Sequence, residues 1–165
     1  MNPINRTIAA LSSVLMAAST SVLPAKATID SGTGDMLRTA ESYGLTVQGN
    51  HPECTSTIHG WYVHETKTVV ICRLSNIGAE EHDTARHEVF HFIQGCQTTK
   101  SYLEPLIKNK VNFVSFVERS LTPGQIDNVK MTYPKHKWAT ELEAFAAARA
   151  LSSNTIRLYI QKYCG

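Results

Sequence analysis

Four cysteines, Cys54, Cys72, Cys96 and Cys164, constrain this 165-residue chain more than any other feature. All four lie downstream of a segment that reads as an export leader. An even cysteine count in an exported protein predicts two disulfides. The leader is recognised by the order of its parts. MNPINR carries one arginine and no acid, the uncharged run TIAALSSVLMAASTSVL follows, and Pro24-Ala25-Lys26-Ala27 supplies an A-x-A cleavage site. The run is too short and too rich in Ser and Thr for a stable membrane span. Residues 1–27 are therefore expected to be removed, leaving 28–165 as a single secreted or periplasmic domain without a membrane anchor.

Charge narrows the partners. Arg6 and Lys26 account for two of the 16 basic residues, so the segment after the leader carries 14 against 14 acidic ones. A net charge near zero without a basic run excludes a nucleic-acid partner. Composition is that of an ordinary globular protein, 42% hydrophobic and 18% charged. We expect a monomer.

The pattern along the chain predicts a mainly helical α+β domain. DMLRTAES suits a short helix ended by Gly44. IHGWYVH and TVVICRL are β-branched and aromatic runs separated by ETK, which predicts an antiparallel hairpin. Such a hairpin brings Cys54 close to Cys72, and we expect them to be bridged. A helix follows, with Ser75 or Asn76 as its cap, Glu80, Glu81 and Asp83 in its first turns, and Gly95 as its stop. Residues 101–118 alternate ambiguously and lean towards helix. Thr122-Pro123-Gly124-Gln125 is a helix start, with a Thr cap, Pro at the first position and Gln three after the cap. ATELEAFAAARAL is the strongest helical segment, and NTIRLYIQKYC closes the chain. Cys96 and Cys164 both fall at helix ends, so they form the second expected bridge.

The helix after the hairpin contains HEVFH, His87 to His91. On an α-helix residues four apart are only about 40° apart around the axis, one turn along it. Two imidazoles so placed reach one metal ion, and Glu88 lies to one side, where it can face a metal-bound water. A zinc ion held this way acidifies the water, and the glutamate takes its proton and passes it to a leaving amine. Val89, Phe90, Phe92 and Ile93 surround the motif, so the histidines are expected to be buried, where polar groups need partners.

The motif at 87–91 resembles that of the zincin metallopeptidases. The resemblance covers this helix, the hairpin before it and, more loosely, the later ELEAFA helix. It implies a small zincin-like domain with the hairpin packed beside the active-site helix. It further implies one Zn²⁺ held by His87 and His91, Glu88 as general base, and a peptide or protein substrate. A third ligand is needed. Gln94 and Gln97 stand where the metzincin pattern requires Gly and His, which excludes that subgroup. Among downstream acids, Glu141 and Glu143 lie on the strong helix. Two residues apart, they point about 160° away from each other. Glu143 shares its face with Ala139, Ala146, Ala147 and Ala150, small residues that permit close helix approach, whereas Glu141 shares its face with Trp138, Phe145 and Ala148. Glu143 is the expected ligand and Glu141 the reserve, with the other member free to hold a ligand histidine by its ring N–H. A glutamate ligand on a second helix resembles the gluzincin type. Tyr133, His136 and, near the hairpin turn, His64 are candidates for stabilising a transition state. His51, His59 and His82 are expected to be surface or structural. The competing reading is a non-catalytic, disulfide-stabilised binding module with a structural metal or none.

Overall fold

The computed structural model describes residues 7–10, 32–74 and 78–165. Strands β1 (Thr7–Ala10), β2 (Thr46–Gly49), β3 (Ile58–Val63) and β4 (Thr68–Ile71) form one sheet in the order β1-β3-β4-β2. β3 and β4 are the expected antiparallel hairpin, with Trp61 opposite Val70 and Tyr62 opposite Val69. β2, which the sequence reading did not find, pairs parallel to β4. Within the segment read as a leader, Thr7–Ala10 pairs antiparallel with β3. The rest of that segment, including its cleavage site, lies outside the described residues.

Among the described residues six α-helices form, as expected except that the segment 101–118 becomes helical only from Lys110: α1 (Thr33–Ser42), α2 (Ala79–Cys96), α3 (Lys110–Ser120), α4 (Pro123–Thr132), α5 (Trp138–Ala150) and α6 (Ser153–Tyr163). Gly44 ends the α1 segment at φ 92°, a left-handed conformation that favours glycine. Gly78 stands at the N-cap of α2, and its N–H donates to the Glu81 carboxylate at 2.9 Å. The expected caps Ser75 and Asn76 lie outside the described residues. Gly95 does not stop α2, which runs one residue further, to Cys96. That glycine serves packing instead, because a Cβ there would come within 2.8 Å of His64 Nδ1 and 3.0 Å of the Tyr62 hydroxyl. The Thr122–Gln125 capping box forms as expected.

α2 is the central element. Its Ala85, Val89, Phe90, Phe92 and Ile93 join Tyr62, Val69 and Ile71 of the sheet, Met36 and Ala40 of α1, Ala144 and Ala147 of α5, and Ile156 and Ile160 of α6 in one core. Strand alternation sends Trp61, Val70 and Cys72 to the opposite sheet face, where they form a smaller cluster with Cys54 and Ile58. The hairpin therefore reads as a near-continuous apolar run because both faces are covered. A third cluster joins α3, α4 and α5 through Val117, Val129, Tyr133, Leu142 and Ala146. α5 is consequently buried on two sides. Both expected bridges form, Cys54–Cys72 and Cys96–Cys164, and two disulfides suit an oxidising environment. Among the described residues no helix is long and apolar enough to cross a membrane.

Candidate metal centre

The helical spacing of HEVFH does what its geometry requires. His87 and His91 lie one turn apart on α2, with Nε2 atoms 3.1 Å apart. The facing helix α5 brings Glu141 to them, its Oε2 lying 3.3 Å from His91 Nε2 and 3.5 Å from His87 Nε2. A tetrahedral zinc with ligands at about 2.0–2.1 Å has ligand atoms about 3.3 Å apart. The three observed separations match three corners of such a tetrahedron. Among the described residues, His87, His91 and Glu141 are the group of His, Cys, Asp or Glu side chains close enough to share an ion, and all three are buried. They can bind a metal ion.

The polar atoms around this triangle support that fit. Both Glu88 carboxylate oxygens, Glu141 Oε2 and the Tyr133 hydroxyl are buried without a hydrogen-bond partner. Buried polar atoms are normally satisfied, so an unsatisfied group of them concentrated at one place marks a binding site for a charged or polar species. His87 is held from the other side by Phe145, whose ring centroid lies 4.2 Å away, and Tyr133 packs against the same phenyl ring.

The protein's own charges are strongly coupled here. Burial opposes a charge on His91, but Glu141, with help from Glu88 and Gln94, overrides it and raises the imidazole to about 9. Burial lowers His87, which stays neutral. Burial also pushes the Glu141 carboxyl up, yet the His91 cation and the two imidazoles beside it bring it down to about 2. Glu88 is raised by burial, and further by Glu141, to about 8. Tyr133 is pushed far above the ordinary phenol range by burial, with Glu141 and Glu88 adding to it. Without metal, a proton on His91 and the charge of Glu141 neutralise each other.

The expected third ligand needs correction. Glu143 does not face the histidines. Its carboxylate accepts the backbone N–H groups of Leu106 and Ile107, each at 2.7 Å, and the Gln94 side-chain amide at 2.9 Å. The alanine stripe misled because Ala147 packs into the main core and Ala146 into the second cluster, while Ala150 is exposed. The bulkier face of α5 meets the metal triangle, since Phe145 supplies the wall against His87. Gln94 also entered the sequence reading only as a missing glycine. It lies three residues after His91, one turn along the same face, which was a usable signal.

The remaining candidates separate. Tyr133 is buried, and its hydroxyl is one of the unsatisfied atoms. His64 and the exposed His136 instead line a cavity of about 450 Å³ that also borders Tyr102, Leu103, Lys137 and Glu141. His64 Nε2 lies 3.0 Å from the Lys100 carbonyl oxygen, fixing the ring at that cavity. His82 is structural, with Nδ1 2.6 Å from Thr33 Oγ1. His59 is 3.4 Å from Glu80, and His51 sets its ring edge against Trp61. No protein-family model, curated protein or solved structure matches the chain. What this centre can do follows from its own atoms.

Proposed function

We propose that the chain is an exported zinc-dependent peptidase of the zincin type, cleaving peptide bonds with Glu88 as general base. The observation that carries this reading is the buried triangle of His87, His91 and Glu141, with the unpaired Glu88 carboxylate beside it. Two imidazoles and one carboxylate form a donor set suited to a catalytic zinc, which keeps one position open. When bound, the ion supplies the Lewis acidity that acidifies water and polarises a carbonyl.

The chain's own residues account for the rest. Glu88 has no competing hydrogen bond, so its carboxylate is available to take a proton from an attacking water and return it to the departing amine. Burial pushes the Glu88 carboxyl up to about 8, and a dication held by His87, His91 and Glu141 would favour its ionised form at neutral pH. Tyr133, held protonated by its surroundings, offers its unpaired hydroxyl to a developing oxyanion. The cavity bordering Glu141 gives a substrate side chain somewhere to sit. The leader and the two disulfides agree with export into an oxidising compartment.

The test has two parts. Purified protein should contain one zinc per chain and cleave a mixed peptide library. Glu88→Gln should retain the metal and lose roughly 10²–10⁴-fold in activity. Protein that neither contains nor takes up zinc, or hydrolysis indifferent to Glu88, rules the proposal out.

A further inference from the structure

We propose that Gln94 and Glu143 are positioning residues for the metal centre, with Gln94 orienting His91 and Glu143 orienting Gln94. The proposal rests on the metal reading above and adds two residues to it.

The Gln94 amide can point only one way. Its Nε2 lies 3.1 Å from the Thr140 carbonyl oxygen, which can only accept, and 2.9 Å from Glu143 Oε2, part of a carboxylate that already accepts the Leu106 and Ile107 N–H groups. Turning the amide over would set its oxygen against a carboxylate and a carbonyl. Oε1 must therefore face His91, where it lies 2.8 Å from Nδ1. An amide oxygen cannot donate, so His91 donates from Nδ1. The lone pair of the neutral ring is then on Nε2, the atom facing His87 and Glu141. The relay thus selects the tautomer and ring plane that metal binding needs.

Glu143 is matched to its place by acceptor capacity. Its two oxygens receive three N–H groups, from Leu106, Ile107 and Gln94. A neutral amide there would turn an NH₂ towards at least one of these donors. The same carboxylate ties the chain just after Leu103, a wall of the cavity, to the helix carrying Glu141. Gln94 and Glu143 are both fully buried, so water does not substitute for either partner.

The experiment titrates Co²⁺ into metal-free full-length protein, following the d–d absorption band, for wild type, Gln94→Leu, Glu143→Gln and the exchanged pair Gln94→Glu/Glu143→Gln. Near-UV circular dichroism checks the fold of each. Both single variants should fold and bind Co²⁺ roughly 10- to 100-fold more weakly. The exchanged pair sets a carboxylate oxygen against the Thr140 carbonyl and an NH₂ against the Leu106 N–H, so it should bind no more tightly than the weaker single variant. In ¹⁵N spectra of the ¹¹³Cd-loaded wild type, His91 should couple to cadmium through Nε2 and keep a protected Nδ1–H, which Gln94→Leu removes. Folded variants that bind Co²⁺ within twofold of wild type, or coupling of cadmium through Nδ1, overturn the proposal. If Glu143→Gln fails to fold, Gln94→Leu and the cadmium spectrum still decide. Wild type that binds no metal sinks this proposal together with the peptidase reading. Tight binding without hydrolysis sinks only the peptidase.

Discussion

Metal binding to this centre should expel protons, and the number is open to measurement. In the metal-free protein His91 is held protonated up to about pH 9 and Glu88 up to about pH 8. Coordination needs the lone pair of His91 Nε2, so that proton must leave. His87 is already neutral and contributes none. At pH 7, the competition on His91 weakens apparent metal affinity by about 100-fold, or ~2.7 kcal/mol. Glu88 can release up to one further proton, because a dication beside it favours the carboxylate. Calorimetric titration of zinc, repeated in buffers of different ionisation enthalpy, reads the protons directly. Between one and two should be released per metal at pH 7, falling towards none well above pH 9. The logarithm of the affinity should rise with pH and flatten above about 9, since protonation of the metal-free site is what opposes binding. Glu88→Gln should remove the second proton and keep the first. A titration in which wild type binds zinc at pH 7 without releasing any proton refutes the charge assignment.

Three further outcomes follow from the packing. Cys96–Cys164 closes 68 residues of sequence and Cys54–Cys72 only 18, so loop entropy predicts losses of about 4 and about 3 kcal/mol for their removal. Urea denaturation of the paired Cys→Ala variants should show that order, and the reverse order contradicts the entropic account. Gly60→Ala would place a Cβ 2.6 Å from the Val70 carbonyl oxygen and 2.7 Å from Thr84 Cγ2, wedging β3 from β4 and α2. A loss of roughly 1–3 kcal/mol is expected, and an unchanged urea midpoint counts against that close approach. Finally, Glu88 and His91 both have folded-state pKa values raised above their ordinary ones, to about 8 and about 9. The stability they confer on the metal-free fold is complete below pH 4.5, is lost as pH rises from 4.5 to about 8 for Glu88 and from 6.5 to about 9 for His91, and is gone above that. The melting temperature of metal-free protein should fall as pH rises from 4.5 to about 9, and Glu88→Gln should make the part of that fall between 4.5 and about 8 shallower. A fall equally steep in the variant removes Glu88 from the explanation.

Much of this protein is local, and local features are legible in a sequence. The capping box at Thr122, the β-branched hairpin runs and the alanine-rich α5 depend on neighbours a few residues away. The two bridges were also readable, because a hairpin and two helix ends restrict which cysteines can meet. HEVFH belongs to the same class, since an i, i+4 pair on a helix converges whatever the rest of the chain does. Short β2 was missed because TVQG has little apolar pattern of its own and exists as a strand by pairing with β4.

Periodicity places Glu141 and Glu143 on opposite sides of α5 and goes no further. It would have sufficed on a helix with one buried face. α5 is buried on two, against α2 and against the α3–α4 cluster, so both carboxylates need internal partners. Only the docking of α5 on α2 turns Glu141 to the histidines and Glu143 to Gln94 and the backbone at 106–107. By itself, then, the sequence determined most of the helices and two imidazoles with a glutamate beside them, and it favoured one of three cysteine pairings. The tertiary structure decided which acid completes the triangle, because that depends on how two helices far apart in the chain rotate against each other.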